Sequence, residues 1–440
     1  MPLSANPQND HRQLAAQVLE KDTHFVKALA NAVNEREVIA CEDIYSSSGI
    51  KLVSSGTRLT NFYDHLIEHK LLKPIEQSLR MENSVDAARL LSLIITEGDS
   101  IPALAPLLRQ AGSIRHLERT FGEIRIPAPL ALKLTVAQEQ RPILFQHLVT
   151  TAMIAYMVAM QDKLPADDVK ALILAGVFHD IGELSIDPVI LTPEYHMTTD
   201  DRRHIYVHPL TGFLILRDFS DIPDAAALAV LQHHERIDGS GYPHRLQGDQ
   251  LGVVSRYLGV VEVAATFLTR FGADKRINML LRLNRKKYDA QAISSIGGIF
   301  RAVCTLDASA PDEAFAMTRL IQTGQLFETW VLIGNALARL PTNESAPLGF
   351  IVERMDNLRV TVIEVGFDPS RFEDMLSLAC GDDPDVCMEL TLMLDELEWQ
   401  FRALSREIER NLFDHNLLLP AALKETFDTW LKQVRQLVGE

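Results

Sequence analysis

Cysteine is scarce in this 440-residue chain: Cys41, Cys304, Cys380 and Cys387, with no Cys-x-x-Cys pair among them. That spacing excludes a disulfide scaffold and a zinc-finger site, and it favours reduced thiols in a cytosolic protein. Long apolar runs are missing too. No stretch approaches the roughly 18 consecutive apolar residues that a membrane span needs, and the polar start lacks the apolar core of a signal peptide. The expectation is a cytoplasmic protein with no membrane partner. Positive charge is also short: 43 Lys and Arg stand against 59 Asp and Glu, a formal net charge of −16. Broad nucleic-acid contact relies on a basic face that neutralises phosphates, so this balance argues against it. An anionic ligand would need local help from a metal or from arginines.

What is present is mostly helical pattern. The length predicts two or three domains. A helix is expected over 13–34. Two apolar runs at 38–44 and 50–53 flank a Ser-Ser-Ser-Gly turn at 46–49 and predict a small β-hairpin, followed by a helix around 61–69. From residue 83 a period of about 3.6 dominates, broken at Pro102, Pro127, Pro129, Pro165, Pro188 and Pro193. Near the end Leu394, Leu397, Phe401, Leu404 and Ile408 recur at three-four spacing, and Glu398 stands four before Arg402. The predicted fold class is mainly α: an all-helical core over 131–305, a region with a small α/β hairpin element over 1–130, and a helical region over 306–440. The C-terminal stripe could form a homodimer or dock a partner, although such a stripe is more often simple core packing.

Histidine carries the chemistry. Eight of the fourteen fall within 147–244, most of them on apolar helices. His147 lies in an otherwise apolar inner face. His179-Asp180 ends one apolar helix, His208 precedes Pro209, His233-His234-Glu235 ends another helix, and Glu262 sits in Val-Val-Glu-Val-Ala-Ala. Burying such groups costs several kcal/mol each unless they are paired or ligate a cation. Imidazole nitrogens with carboxylate oxygens suit Mn²⁺, Fe or Zn²⁺. Asp180 can bridge two cations, which an imidazole cannot, and a two-metal site suits phosphate-ester hydrolysis. Taken singly, His147 reads as a core histidine and Glu262 as a capped or paired carboxylate. His196, His204 and His244 read as solvated or local hydrogen-bond formers. The clustering of His147, His179, Asp180, His208, His233, His234 and Glu262 points to metal. In the loop that follows, Gly239 and Gly241 allow close backbone approach to a ligand. Tyr242 offers an aromatic face for a base, and Arg236 a planar fork for phosphate.

These residues resemble the HD-GYP domains, a branch of the HD phosphohydrolase superfamily. The resemblance runs through His147, His179-Asp180-Ile-Gly182, His208-Pro209 with Gly212, His233-His234-Glu235-Arg236, Asp238-Gly-Ser-Gly-Tyr-Pro243 and the Glu262 helix. It spans about 131–305, some 40% of the chain. It implies an all-helical HD core with a two- or three-metal centre, iron or manganese being usual, with Zn, Ni or Mg as alternatives. The implied reaction opens cyclic di-GMP to pGpG, often continuing to GMP, in bacterial signalling alongside partners such as GGDEF-type proteins. Asp180 and His179 are the implied catalytic residues. Glu183, Arg236, Asp238, Gly239, Gly241, Tyr242, Pro243, Arg270 and Lys275 are the implied ligand-binding ones. Three positions depart from the family. Glu183 replaces its usual lysine and reverses the charge beside an anionic substrate. Glu262 replaces its last metal-binding Asp, and Ile143 stands where three-metal members carry a Glu, which predicts at most two metals. The basic loop after the last ligand appears as 269–276, keeping charge at Arg270, Lys275 and Arg276 in a different arrangement. The alternative function is a degenerate HD-GYP protein that acts as a cyclic-dinucleotide receptor or an interaction scaffold.

Overall fold

The computed structural model describes residues 7–20, 22–33, 37–59, 69–102, 104–110, 112–192, 198–271, 284–301, 313–339, 384–414 and 420–438, with isolated positions within 277–281 and 352–363. Among the described residues it is mainly helical, with four short strands, and the chain divides into two compact units: 1–274 with 285–303, and 275–284 with 304–440.

The first unit opens with two helices, Pro7–Glu20 and Thr23–Val33, where a single helix was expected. Asp22 makes the break: its Oδ1 accepts the Phe25 N–H at 3.2 Å, the bond of an N-cap. Four strands follow: β1 (Val38–Ala40), β2 (Ile44–Tyr45), β3 (Lys51–Val53) and β4 (Leu79–Met81). The hairpin forms between β2 and β3, closed by the Ser46 N–H to the Ile50 carbonyl at 2.8 Å. β1 instead pairs antiparallel with β4, Val38 opposite Met81 and Ala40 opposite Leu79. Local spacing cannot reveal a partner that distant in sequence. The helix expected around 61–69 falls almost wholly on 60–68, outside the described residues.

The centre of this unit is made from helices Pro142–Gln161, Ala166–Phe178, Asp224–Gln232 and Val253–Phe271. Pro142–Gln161 is long and apolar enough on composition alone to cross a membrane, yet most of it is buried inside this unit. A helix apolar all round belongs in a core. Beside it, Ala128–Gln140 buries a lysine completely. The Lys133 ammonium lies 2.9 Å from Glu76 and 3.9 Å from Asp22, and 3.6 Å over the Phe25 ring centre. Asp22 in turn accepts the Ser185 hydroxyl at 2.8 Å. An ammonium removed from water needs such partners. Together they tie the N-terminal helices to the 3-10 turn Ile181–Ser185.

The second unit has its own core. Helices Glu313–Leu337, Pro384–Asp414 and Ala421–Val438 enclose Phe327, Trp330, Phe401 and Trp430, whose rings pack edge to face. Leu394, Leu397, Phe401, Leu404 and Ile408 are all buried there, so the stripe serves core packing. The Glu398 carboxylate pairs with Arg319 at 2.5 Å, while Arg402 donates to the Val438 carbonyl at 3.1 Å. Tertiary contacts thus claim both members of the expected i,i+4 pair.

Candidate metal centre

The core helices deliver their histidines at their ends. His179 caps the C-terminus of Ala166–Phe178, with Asp180 next in the chain. His233 caps Asp224–Gln232, and His208 opens the helix His208–Leu216. His147 lies in the second turn of Pro142–Gln161. Close backbone approach brings the Asp180 turn against His208. A Cβ on Gly182 would overlap the His208 carbonyl and lie 3.0 Å from the Gly212 nitrogen, so only glycine fits.

Three of the rings are oriented alike. His179 Nδ1 lies 2.9 Å from the Gly176 carbonyl, His208 Nδ1 2.6 Å from that of Ile205, and His233 Nδ1 2.7 Å from that of Val230. A carbonyl oxygen only accepts, so each Nδ1 carries the proton and each Nε2 is turned inward. The inward nitrogens surround one carboxylate. Asp180 Oδ2 lies 3.1 Å from His179 Nε2 and 3.7 Å from His147 Nε2. Its Oδ1 lies 3.2 Å from His208 Nε2 and 3.4 Å from His233 Nε2. The nitrogens also face one another, at 3.0 Å for His147 and His179 and 3.2 Å for His208 and His233.

Lone pairs so placed repel unless positive charge lies among them. Burial disfavours the charged rings, but the Asp180 carboxylate pushes His179 up to about 9 and raises His208 as well. Burial takes His233 down to about 4 and His234 well below its ordinary range. Asp180 itself is held well below the carboxylate range: the imidazoles, His179 foremost, outweigh its burial. The donors fall into two sets that share Asp180, namely His147 with His179, and His208 with His233 and His234. Nitrogen and carboxylate donors in this arrangement fit divalent transition cations, with Asp180 facing both sets. Glu262 lies outside both sets. It is a half-buried carboxylate raised by desolvation, with Arg236 and His179 pulling it down, and it accepts the Thr266 hydroxyl at 3.0 Å. Ile143, one turn before His147, is exposed and offers no donor.

The loop after the paired histidines is pinned by Glu235. Its buried carboxylate accepts the His244 N–H at 2.6 Å and the Leu246 N–H at 3.0 Å, folding the loop back on itself. A Cβ on Gly241 would lie 2.5 Å from Glu235 Cα and the His234 carbonyl, so the chain passes there only as glycine. Tyr242, joined to Pro243 by a cis peptide, stacks its ring on His234 with centroids 4.7 Å apart. The tyrosine therefore sets the plane of a candidate ligand. Arg236 faces inward: its guanidinium donates to the His233 and Glu235 carbonyls at 3.0 and 2.8 Å and lies 4.8 Å over the Tyr288 ring. Asp238 accepts the Ser240 N–H and hydroxyl in a local turn, and Gly239 turns the chain at φ +82°. His204 is exposed. His196, the Arg270 side chain, Lys275 and Arg276 lie outside the described residues.

Glu183 is half-buried beside this centre. Burial, then the Asp180 charge, pushes it up to about 7, with His208, His179 and Arg141 acting the other way. Arg141 also donates to the Ile186 carbonyl at 2.8 Å. The motif reading missed Arg141, yet it stands immediately before Pro142 at a helix N-terminus, where a cation is unfavourable. A cation there signals a carboxylate nearby. Also missed were Glu235 as the loop anchor, Tyr288 beneath Arg236, and Tyr206, whose ring meets Tyr242 edge to face.

Residues 131–291 match the sequence model of a family described as the HD domain. That stretch is an HD domain, and it carries the His-His-Glu and Gly-Tyr-Pro motifs of the HD-GYP branch. Three curated relatives align over it. A cyclic di-GMP phosphodiesterase of Pseudomonas aeruginosa is 32% identical over 27% of this chain and 29% of its own length. The cyclic di-GMP phosphodiesterase response regulator RpfG of Xanthomonas campestris is 32% identical over 26% of this chain and 31% of its own. A 3'3'-cGAMP-specific phosphodiesterase of Vibrio cholerae is 27% identical over 42% and 43% respectively. The chain thus spans less than half the length of each of these relatives.

Proposed function

We propose that this HD-domain chain is a metal-dependent phosphodiesterase of cyclic dinucleotides, opening cyclic di-GMP to pGpG or GMP in bacterial signalling. The carrying observation is the single Asp180 carboxylate with two imidazole nitrogens converging on each of its oxygens, at 3.1–3.7 Å. The curated relatives that align over the domain act on such phosphodiesters. Two divalent cations, iron or manganese, held by the two donor sets would supply an activated water and a clamp for the phosphodiester oxygens. Asp180 is the residue that faces both sets and fixes their spacing. The backbone carbonyls behind His179, His208 and His233 keep the ligand nitrogens aimed inward, so the donors are oriented in advance. Tyr242 holds the His234 plane, and Glu235 holds the loop that carries Tyr242.

A second reading has one specific observation behind it. Glu183 places a carboxylate, where the family carries a lysine, beside the same centre. A protein that retains the metal donors and binds the phosphodiester without opening it would act as a receptor. Elemental analysis of protein purified without added metal, combined with a hydrolysis assay on cyclic di-GMP and 3'3'-cGAMP, separates the readings. About two transition-metal ions per chain with turnover is the expected result. Metal without turnover, but with nucleotide binding, would select the receptor reading. Sub-stoichiometric metal with no binding would sink both.

A further inference from the structure

We propose that Tyr206 is the residue that stacks a nucleobase at the mouth of the metal centre, a specificity-determining role that rests on the cyclic-dinucleotide reading above. Tyr206 ends the helix Thr199–Tyr206, and the chain passes through Val207 directly into His208. Its position is held from both sides. The preceding carbonyl, that of Ile205, accepts the His208 ring N–H at 2.6 Å, and the helix start is locked by the Thr198–Asp201 capping box. The aromatic ring therefore stands in a fixed relation to a ligand of the centre.

The rings form a continuous series outward from the donors. His233 and His234 lie 4.1 Å apart between centroids, His234 and Tyr242 4.7 Å at an interplanar angle of 25°, and Tyr242 and Tyr206 4.5 Å at 88°. Tyr242, the aromatic that the motif itself offers for a base, spends one face on His234 and meets Tyr206 perpendicularly. Tyr206 is the outermost member and is 45% exposed. A single exposed tyrosine is ordinary on a protein surface. This one is held edge-to-face against a ring that orients a candidate metal ligand.

The charge balance explains why stacking would carry recognition here. The chain is net −16, so cationic contacts for an anionic ligand are scarce. A cyclic dinucleotide offers two phosphodiesters and two flat bases. Contact with a base face adds affinity without adding cations, and base–aromatic stacking contributes about 1–3 kcal/mol per base.

The test uses the full chain loaded with manganese, comparing wild type with Tyr206→Leu and Tyr206→Phe. Leucine keeps apolar bulk without a π face, and phenylalanine keeps the ring without the hydroxyl. With cyclic di-GMP, Tyr206→Leu should raise KM about tenfold with kcat within about twofold of wild type, and Tyr206→Phe should match wild type in both. An unchanged KM in the leucine variant would overturn the assignment. So would a fall in kcat at constant KM, which is the signature of a ring that only props Tyr242 and His234, or a raised KM in the phenylalanine variant. A wild type that neither binds nor hydrolyses cyclic di-GMP or 3'3'-cGAMP would overturn the functional reading itself, and this assignment with it.

Discussion

Replacing Glu183 by glutamine should improve the handling of a phosphodiester, and the improvement should grow with pH. The carboxyl is raised from 4.5 to about 7, a shift caused first by burial and then by Asp180. At about 1.4 kcal/mol per unit, that is a cost on the order of 3 kcal/mol for carrying charge in this position. A phosphodiester seated on the donors adds another negative charge. At a separation of roughly 6 Å and an effective dielectric of about 20, repulsion is on the order of 3 kcal/mol before screening. Because the pKa is raised, the group is neutral below the shifted value and charged above it. Wild-type KM for cyclic di-GMP should therefore worsen as pH rises through about 7, while the Glu183→Gln variant stays flat there. The two should converge at low pH, where Glu183 is protonated, and differ by about tenfold or more near pH 8. Bound cations favour the carboxylate and move the crossover lower. Lysine at this position should act in the same direction but gain less than the charge reversal suggests, since Arg141 then faces a second cation. An independent readout needs no substrate. In chelated protein a raised carboxyl pKa gives stability that is present below the unfolded value near ~4.3 and lost as pH rises through about 7. The glutamine variant should then resist urea better than wild type at pH 7 and equally at pH 4. Parallel KM profiles, or a glutamine variant with weaker binding, would refute the charge argument and shift attention to the 269–276 loop.

Three further outcomes are expected. Asp180→Asn should lower metal content by at least half and abolish turnover, because an amide cannot serve both donor sets; full metal occupancy by elemental analysis with near wild-type rate would rule out the shared-carboxylate arrangement. Gly241→Ala forces a Cβ into the backbone of Glu235 and His234, so the thermal midpoint should fall by an amount equivalent to about 1–3 kcal/mol; an unshifted midpoint would show that the loop yields without cost. Asp22 is raised by burial, with Lys133 and Ser185 pulling it down, so wild-type stability should carry a component that declines as pH rises above about 4. Asp22→Asn should flatten that slope in urea titrations, and an unchanged slope would remove Asp22 from the pH response.

The helical class and the cluster of candidate metal donors were legible in the sequence because both are properties of local pattern. A period of about 3.6 needs only neighbouring residues to be seen. A histidine at the end of an apolar helix is costly enough to announce itself wherever it folds. His147, His179, Asp180, His208, His233 and His234 could be picked out that way, and the structure brings those six together. Glu262 carried the same signal; it accepts a hydroxyl one turn along its own helix and lies outside both candidate donor sets. Tertiary structure alone decided the rest, since each of these features depends on distance through space. It paired β1 with β4 and divided the donors between the two oxygens of Asp180. It set Arg236 against backbone carbonyls and Tyr242 against His234. It also set Arg141 to offset Glu183, and buried Lys133 between carboxylates from two distant segments. A charged or aromatic side chain reads alike in sequence whether it faces a ligand or a carbonyl. Only packing, which settles what lies within about 3 Å of it, assigns its role.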